Sequence, residues 1–340
     1  MGNEILRYQQ RSYLQIQTAF DAIPNTGGAA TVAGSNCALV RRFDTDAVQQ
    51  EIERSDKTGT LDKLPAQGGR KSGTAIWEGN MNGNGSPGVA PDCSPILQAG
   101  FGKVPTIVAA TSVAYSLDDL LYYLAAWNFN APNTGTQQVA FNSLVTQLEF
   151  ALGGDEPTVT ATLEPGWVLD NDQMADGTTD ALAKGGLTAF PNEPATPVTN
   201  GTFPRGFDIA ATIDGNAFDE ILSVKIRLAV QRGLRKDTNA VYPRSGFPGP
   251  RLISADFSLT DNDGASMRSL KQKAFSRTAI NIDFTLGQTS GNTWDFALNN
   301  VIVPKPKYGD QGSRRKIDFS NAVAYPSAFN AKDQFTLAIR

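Results

Sequence analysis

The feature that most constrains the fold is a stretch of regular alternation between apolar and polar residues at positions 279–304. Successive side chains of a strand point to opposite faces, so apolar spacing of two predicts strands with one buried face. A segment of Gly, Ser, Thr and Asn at 287–292 predicts a turn, and Pro304 ends the second run. The stretch is therefore predicted to be an antiparallel hairpin. Its apolar positions are Ile280, Ile282, Phe284 and Leu286, then Trp294, Phe296 and Leu298.

The same alternation recurs along the chain, so the predicted fold class is mainly β. Residues 118–129 fit either a helix beginning near Asp118 or a strand, and their aromatic content favours the strand. Two short helices are predicted, one at 93–99 and one from a cap at Asp263 to about residue 275. The further predicted strands lie at 37–43, 73–81, 144–152, 159–163, 207–213, 222–230, 253–259, 317–325 and 335–339.

The length of 340 residues predicts two domains, at a prior of about 150 residues per domain. We place them at 1–164 and 206–340, joined by an extended linker or arm at 165–205 that is rich in Pro, Gly and Thr. Residues 48–163 and 221–340 share an order of strand, long basic loop, strand, short helix and meander. This shared order predicts that one fold is duplicated in the chain.

Composition argues against several classes of function. The chain has no histidine, which removes the commonest general base, Ser-His and Cys-His nucleophile pairs and most zinc sites. Its formal net charge of −4 argues against a nucleic-acid binder held by phosphate contacts. The two cysteines, Cys37 and Cys93, are predicted to be buried free thiols. No apolar run approaches ~18 residues, so no membrane span is expected.

Motifs that resemble ligand-binding loops have simpler explanations. Gly83, Gly85 and Gly88 have the spacing of a dinucleotide-binding loop, but Pro87 and Pro91 block the helix that such a loop must open. The aspartates around residues 170–176 lack the closing glutamate of a calcium loop. We therefore predict no cofactor, no metal site and no catalytic residues.

Two long basic loops, at 55–72 and 231–250, are the candidate contact sites. They fit a solvated surface, a dock for an acidic partner or a DNA contact, and in an acidic chain contact with another copy of the same protein is favoured. The candidate inter-subunit contact residues are Lys57, Lys63, Arg70, Lys71, Arg232, Arg235, Lys236 and Arg244.

Four stretches together resemble the tail tube proteins of long-tailed, siphophage-type bacteriophages. RSDKTG at 54–59, followed by GTAIWEG at 73–79, is similar to the first long loop and returning strand of that family. SPILQAGFG at 94–102 resembles its short helix and glycine turn. AFNSLVTQL at 140–148, with the glycine pair at 153–154, resembles its central hairpin.

The resemblance implies a β-sandwich or β-roll tail-tube fold with one flanking helix, and a structural virion protein without enzymatic activity. Subunits would form stacked rings of a tube that carries the genome, and an acidic lumen would keep passing DNA mobile. Implied partners are other copies of the chain, other tail proteins and DNA in transit, in a virion tail assembled in the host cytoplasm. If each half is one tube unit, three chains give a pseudo-sixfold ring; the alternative is a ring of six chains.

Two other functions remain open at this point. The first alternative is a β-sandwich carbohydrate- or receptor-binding module, also carried on a virion. The second, less favoured, is a glycosidase that uses a pair of carboxylates.

Overall fold

The computed structural model describes residues 10–22, 25–26, 29–30, 32–52, 67–129, 137–170, 194, 204–237 and 240–340. The chain is mainly β, as predicted, and the strand pairings in the described part are antiparallel. Two α-helices lie among the described residues, and each follows a long β-hairpin. We refer to residues 10–170 as the first half and to residues 204–340 as the second half.

The first half contains twelve strands and helix α1, Ser94–Phe101. The strands are β1 Arg11–Gln17, β2 Asn25–Thr26, β3 Ala29–Ala30, β4 Cys37–Ala38, β5 Arg42–Ile52, β6 Gln67–Asn80, β7 Thr106–Val108, β8 Ser112–Ser116, β9 Tyr123–Phe129, β10 Gln137–Ala151, β11 Thr158–Glu164 and β12 Trp167–Asp170.

The second half contains eleven strands and helix α2, Ala265–Ser276. The strands are β13 Ile209–Ile213, β14 Asn216–Phe218, β15 Ile221–Val230, β16 Gly233–Arg235, β17 Ser245–Phe247, β18 Arg251–Thr260, β19 Ile280–Leu286, β20 Trp294–Ile302, β21 Lys307–Gln311, β22 Arg314–Ala324 and β23 Phe335–Ile339.

Strand β10 organises the first half because it bends and changes partners. Before the bend it pairs with β9 and β12, and after it with β11. The bend lies at Asn142, whose φ of 52° is left-handed, a region that asparagine tolerates better than most residues. Its side chain accepts hydrogen bonds from Gln17 Nε2 at 3.0 Å and from the Asp21 backbone N–H at 2.8 Å. The remaining ladders within this half, among the described residues, are β11–β6, β6–β5, β9–β1, β1–β4, β7–β8 and β2–β3.

Strand β20 also changes partners at a left-handed residue, Asn300, whose φ is 51°. Before Asn300 it pairs with β19 and β23, and beyond Asn300 it pairs with β22. Pro304 and Pro306 then interrupt the strand, since proline cannot donate to a ladder. The chain resumes as β21 against the same partner, β22. The remaining ladders within this half, in its described part, are β22–β18, β18–β15, β19–β13, β13–β14 and β16–β17.

One hydrophobic core runs through both halves. Phe150 of the first half packs edge-to-face on Phe296 of the second, with ring centroids 5.2 Å apart. Strand β10 pairs with β15, and β8 pairs with β23, so ladders also cross between the halves. The predicted units 1–164 and 206–340 therefore share a core and a sheet. The predicted linker 165–205 begins with a strand, β12, and its residues 171–193 and 195–203 lie outside the described part.

Most local predictions are confirmed. The hairpin at 279–304 is β19 and β20, with Trp294 fully buried, and residues 118–129 contain the strand β9. Both cysteines are free and buried.

Several predictions were wrong in detail. The strand predicted at 37–43 is interrupted at residues 39–41, between β4 and β5, and the strand predicted at 207–213 begins at Ile209, with Phe207 exposed. The cap of α2 is Gly264, not Asp263, because Asn262 Oδ1 accepts the Gly264 N–H at 3.0 Å and fixes the turn there. The predicted strand at 317–325 ends at residue 324. Within it a left-handed residue, Asn321, shifts the alternation, so Tyr325 is exposed.

Candidate assembly interface

The two halves meet edge to edge where β10 pairs with β15, and we call this ladder the junction. It places Glu149 directly opposite Arg227. Glu149 Oε2 accepts from Arg227 Nε at 2.8 Å, and Glu149 Oε1 lies 2.7 Å from Lys225 Nζ. Arg227 reaches further, to Asp256 on β18, at 2.9 Å. One carboxylate thus binds two cations across the seam.

Electrostatics keep these junction groups charged. Burial raises the pKa of Glu149, but hydrogen bonds and charge from Lys225 and Arg227 outweigh it, so the net pKa is lowered. The hydrogen bond to Glu149 raises the pKa of Arg227 despite partial burial. Both groups remain partly exposed, so the ion pairs contribute modestly to stability and mainly favour one register.

The opposite face of the junction is apolar. Leu148 lies opposite Leu228 and Phe150 opposite Ile226, and all four side chains are buried. Burying such side chains contributes about 1.5–3 kcal/mol each. The seam is therefore held by a dry face, and the charged face sets its alignment.

The predicted basic loop at 231–250 is largely structured. Its two short strands, β16 and β17, pair with each other, and Leu234 on β16 is buried. Tyr123 Oη accepts the Gly246 N–H at 2.9 Å, which ties this hairpin to the first half. The segment that extends into solvent is consequently shorter than predicted.

Arg232 differs from the other predicted contact residues because it is buried. Its Nη1 donates to the backbone carbonyls of Ala99, at the end of α1, and of Val145, on β10. Burial lowers its pKa to about 10, so it stays protonated at neutral pH. Arg232 thus holds the chain together internally, and its guanidinium is not available to a second chain.

Arg235, Lys236 and Arg244 are exposed, and their contact with a second copy stays a prediction. Asp237 Oδ1 lies 2.8 Å from Arg235 Nε, and Asp237 Oδ2 lies 3.9 Å from Arg244 Nε. Lys236 Nζ lies 3.7 Å from Glu164.

The first predicted loop, 55–72, is described only at its end. Lys57 and Lys63 lie outside the described residues. The backbone of Arg70 and Lys71 belongs to β6, which begins at Gln67, so this end of the loop is strand.

Two strand edges were missed from the sequence. Among the described strands, β5 forms a ladder only with β6, and β21 only with β22. Each carries exposed charge, namely Asp44 and Asp46 on β5 and Lys307 on β21. None of these residues lay in a predicted strand, and alternation in any case carries no information about which edge lacks a partner.

Outside the junction, the carboxyl group of Asp92 accepts the Leu39 N–H at 3.0 Å, and burial raises its pKa to about 6. The described residues contain no cluster of three or more potential metal ligands. The glycine-rich segment at 83–88 forms turns ahead of α1, as predicted. Within the described ranges, no helix has the length and apolar character needed to cross a membrane.

No family model and no curated protein matches this sequence. The junction and the two charged edges are therefore the features from which a function is inferred.

Proposed function

We propose that this chain is a structural protein of a bacteriophage tail tube, in which copies join edge to edge into rings and the rings stack. The observation that carries the proposal is that seven strand ladders of the first half recur in the second half in the same chain order, whereas β2–β3, β7–β8 and β16–β17 have no counterpart. We infer from it that one β-sandwich-like unit with a flanking helix is duplicated in the chain.

The correspondence covers seven ladders and one helix. In each half, a long hairpin precedes the helix, and a meander after the helix returns to that hairpin and to an earlier short strand pair. The ladders β1–β4, β1–β9, β9–β10, β10–β11, β10–β12, β11–β6 and β6–β5 correspond to β13–β14, β13–β19, β19–β20, β20–β22, β20–β23, β22–β18 and β18–β15.

A duplicated unit with an edge-to-edge junction favours a ring. The junction relates the second unit to the first by a head-to-tail contact, and repeating a head-to-tail contact gives a closed ring or a helix. A ring also covers exposed sheet edges, which otherwise promote aggregation. With two units per chain, a ring of six units contains three chains and has pseudo-sixfold symmetry.

The proposal includes no catalysis and no cofactor. It places the protein in the virion tail, with other tail proteins as neighbours and DNA passing through the lumen. The net charge of −4 supports a lumen through which DNA slides, because a basic surface would hold phosphates.

Electron microscopy of the purified protein tests this function. We expect hollow tubes of uniform width, and end-on averages with threefold symmetry and six similar lobes. True sixfold density from six equivalent chains would refute the three-chain ring and the duplication together. Discrete particles that bind glycans or a cell surface would replace the tube proposal with the binding-module alternative.

Further solution assays address the remaining parts of the proposal. Turnover in a hydrolase or lyase screen that is lost on mutation of one carboxylate pair would refute the absence of catalysis. Shortening the segment between β16 and β17, which carries the exposed Lys236 and Arg244, tests its contact role, because Arg232 and Leu234 then stay in place. We expect folded protein that no longer forms tubes; normal tubes would exclude this loop from the contacts.

A further inference from the structure

We propose that β5 of one copy pairs antiparallel with β21 of the next copy, in a register that places Asp46 opposite Lys307. This inference rests on the proposed function and names the strands and the register of its subunit contact. Its template is the junction inside the chain, where the strands equivalent to these two edges already pair.

The first step identifies β21 with the last part of β10. Ile302 lies opposite Val323 and Lys307 opposite Asp318, a step of five residues on each strand (302 to 307 and 323 to 318), so the ladder continues across the prolines without a shift. The left-handed bends of β10 and β20, at residues 142 and 300, are equivalent. Counting seven residues from each bend aligns Glu149 with Lys307.

The second step identifies β5 with β15. Trp77 on β6 and Phe257 on β18 are buried aromatic residues at equivalent places in the two long hairpins. Phe43 lies opposite Trp77, and Val224 lies opposite Phe257. Counting three residues on from Phe43 and from Val224 aligns Asp46 with residue 227, the junction arginine.

A separate path through the sheet gives the same alignment. Trp77 lies opposite Ala161, which lies opposite Leu148. Phe257 lies opposite Phe319. Lys307 lies opposite Asp318, so extending the β21–β22 ladder by one residue places Pro306 opposite Phe319. Leu148 and Pro306 each lie six residues after their bend, so the two alignments agree.

The equivalent positions carry complementary charges of reversed sign. In the junction one carboxylate, that of Glu149, lies between two cations. In the proposed contact one ammonium group, that of Lys307, lies between two carboxylates, those of Asp46 directly opposite and Asp44 on the diagonal. All three side chains are exposed in the single chain. Opposite charges favour this register and disfavour pairing of either edge with a copy of itself.

The contact also covers an aromatic ring. Tyr308 is 48% exposed and occupies the position equivalent to Phe150, which the junction buries. The Arg315 guanidinium lies 4.1 Å from the centre of the Tyr308 ring and holds it in place on the edge. In the proposed register, Thr45 of the neighbouring copy lies opposite Tyr308 and removes it from water.

Charge reversal tests the pairing. Lys307→Glu and Asp46→Lys should each raise the chain concentration needed for half-assembly at least tenfold, since each places like charges face to face. The double variant should restore assembly to near the wild-type concentration. Arg268→Glu, an exposed reversal on α2, is the matched control and should assemble normally. Circular dichroism of the unassembled chains checks that each variant folds.

Crosslinking tests the register. A chain with Asp46→Cys and Lys307→Cys should react with a short bis-maleimide to give covalent multimers whose ladder ends at three chains. The offset pair Asp46→Cys with Gln311→Cys should not react, because residue 311 lies opposite residue 42 in this register. The natural cysteines are buried, and the wild-type chain controls for them.

The outcomes separate this inference from the function. Wild-type tubes that form while the 46–307 pair stays uncrosslinked, or a double charge variant that stays unassembled, would refute the pairing and leave the tube function standing. A wild-type chain that never assembles would refute both. Crosslinking at 46–307 with rescue by the double variant supports both.

Discussion

Replacing Trp294 with alanine should be among the most destabilising single changes in the chain. Trp294 lies at the start of β20 between two partners, opposite Leu286 on β19 and Ile339 on β23. Its side chain is fully buried, and its ring stacks on Phe296 with centroids 6.5 Å apart. Among the described residues, no acceptor lies within hydrogen-bond reach of its Nε1–H.

The expected cost follows from these contacts. Truncating a buried aromatic ring to alanine costs about 3–5 kcal/mol, through lost burial and the cavity that remains. Trp294→Phe keeps most of the ring and removes a buried N–H, whose unsatisfied state costs about 1–3 kcal/mol. We therefore expect Trp294→Phe to lie within about 2 kcal/mol of wild type, well above Trp294→Ala in stability.

Urea unfolding followed by far-ultraviolet circular dichroism, at matched chain concentration, measures these differences. Phe329→Ala is the matched control because Phe329 is 95% exposed, and its loss should change stability by about 0.5 kcal/mol or less. A Trp294→Ala midpoint equal to that of wild type would refute the buried position and the register of β20. Equal losses in the free energy of unfolding for Trp294→Phe and Trp294→Ala would refute the argument about the unsatisfied N–H.

Three further predictions concern single buried or strained groups. The pKa of Asp92 is raised from 3.8 to about 6 in the fold, so its contribution to stability is full below pH 3.8 and is lost as pH rises through 6. Between pH 4 and 7, the unfolding free energy of Asp92→Asn should therefore rise by about 3 kcal/mol relative to that of wild type. A difference between the two proteins that does not change with pH would contradict this. Arg232→Met leaves two buried carbonyls without their donor and should cost about 2–3 kcal/mol, whereas the exposed Arg235→Met should change the unfolding midpoint little. Asn142→Ala loses its side-chain hydrogen bonds and strains a left-handed residue, so it should lower the free energy of unfolding by about 2–4 kcal/mol in thermal or urea unfolding. Asn321→Ala is strained but exposed and should lower it less. A larger loss for Asn321→Ala than for Asn142→Ala would refute the role of the bend.

Prediction from the sequence worked where the signal is local. Alternation located β19 and β20 because each strand has one dry face, and the helix α2 was found because Met267, Leu270 and Ala274 recur on one side and are buried. Residues 118–129 also fitted a helix because both faces of β9 are buried, and their aromatic content decided correctly for the strand.

The candidate site was only partly predictable. Length and charge marked the loop at 231–250, but nothing local distinguished the buried Arg232 from the exposed Arg235. The junction pair of Glu149 and Arg227 was missed because the two residues are far apart in the chain and meet only when β10 and β15 pair.

The sequence by itself determined that the chain is built of strands with one apolar face, where most of them lie, and that its cysteines are buried. Only the tertiary structure decided which strands pair, in which register, and which edges stay open. The reason is physical: alternation of period two reports the face of a strand but fits any partner of the same period. Single residues with a left-handed backbone, such as Asn142 and Asn321, then change which of the following residues face the core. Where such a residue occurs depends on the tertiary contacts that hold it, as Gln17 holds Asn142.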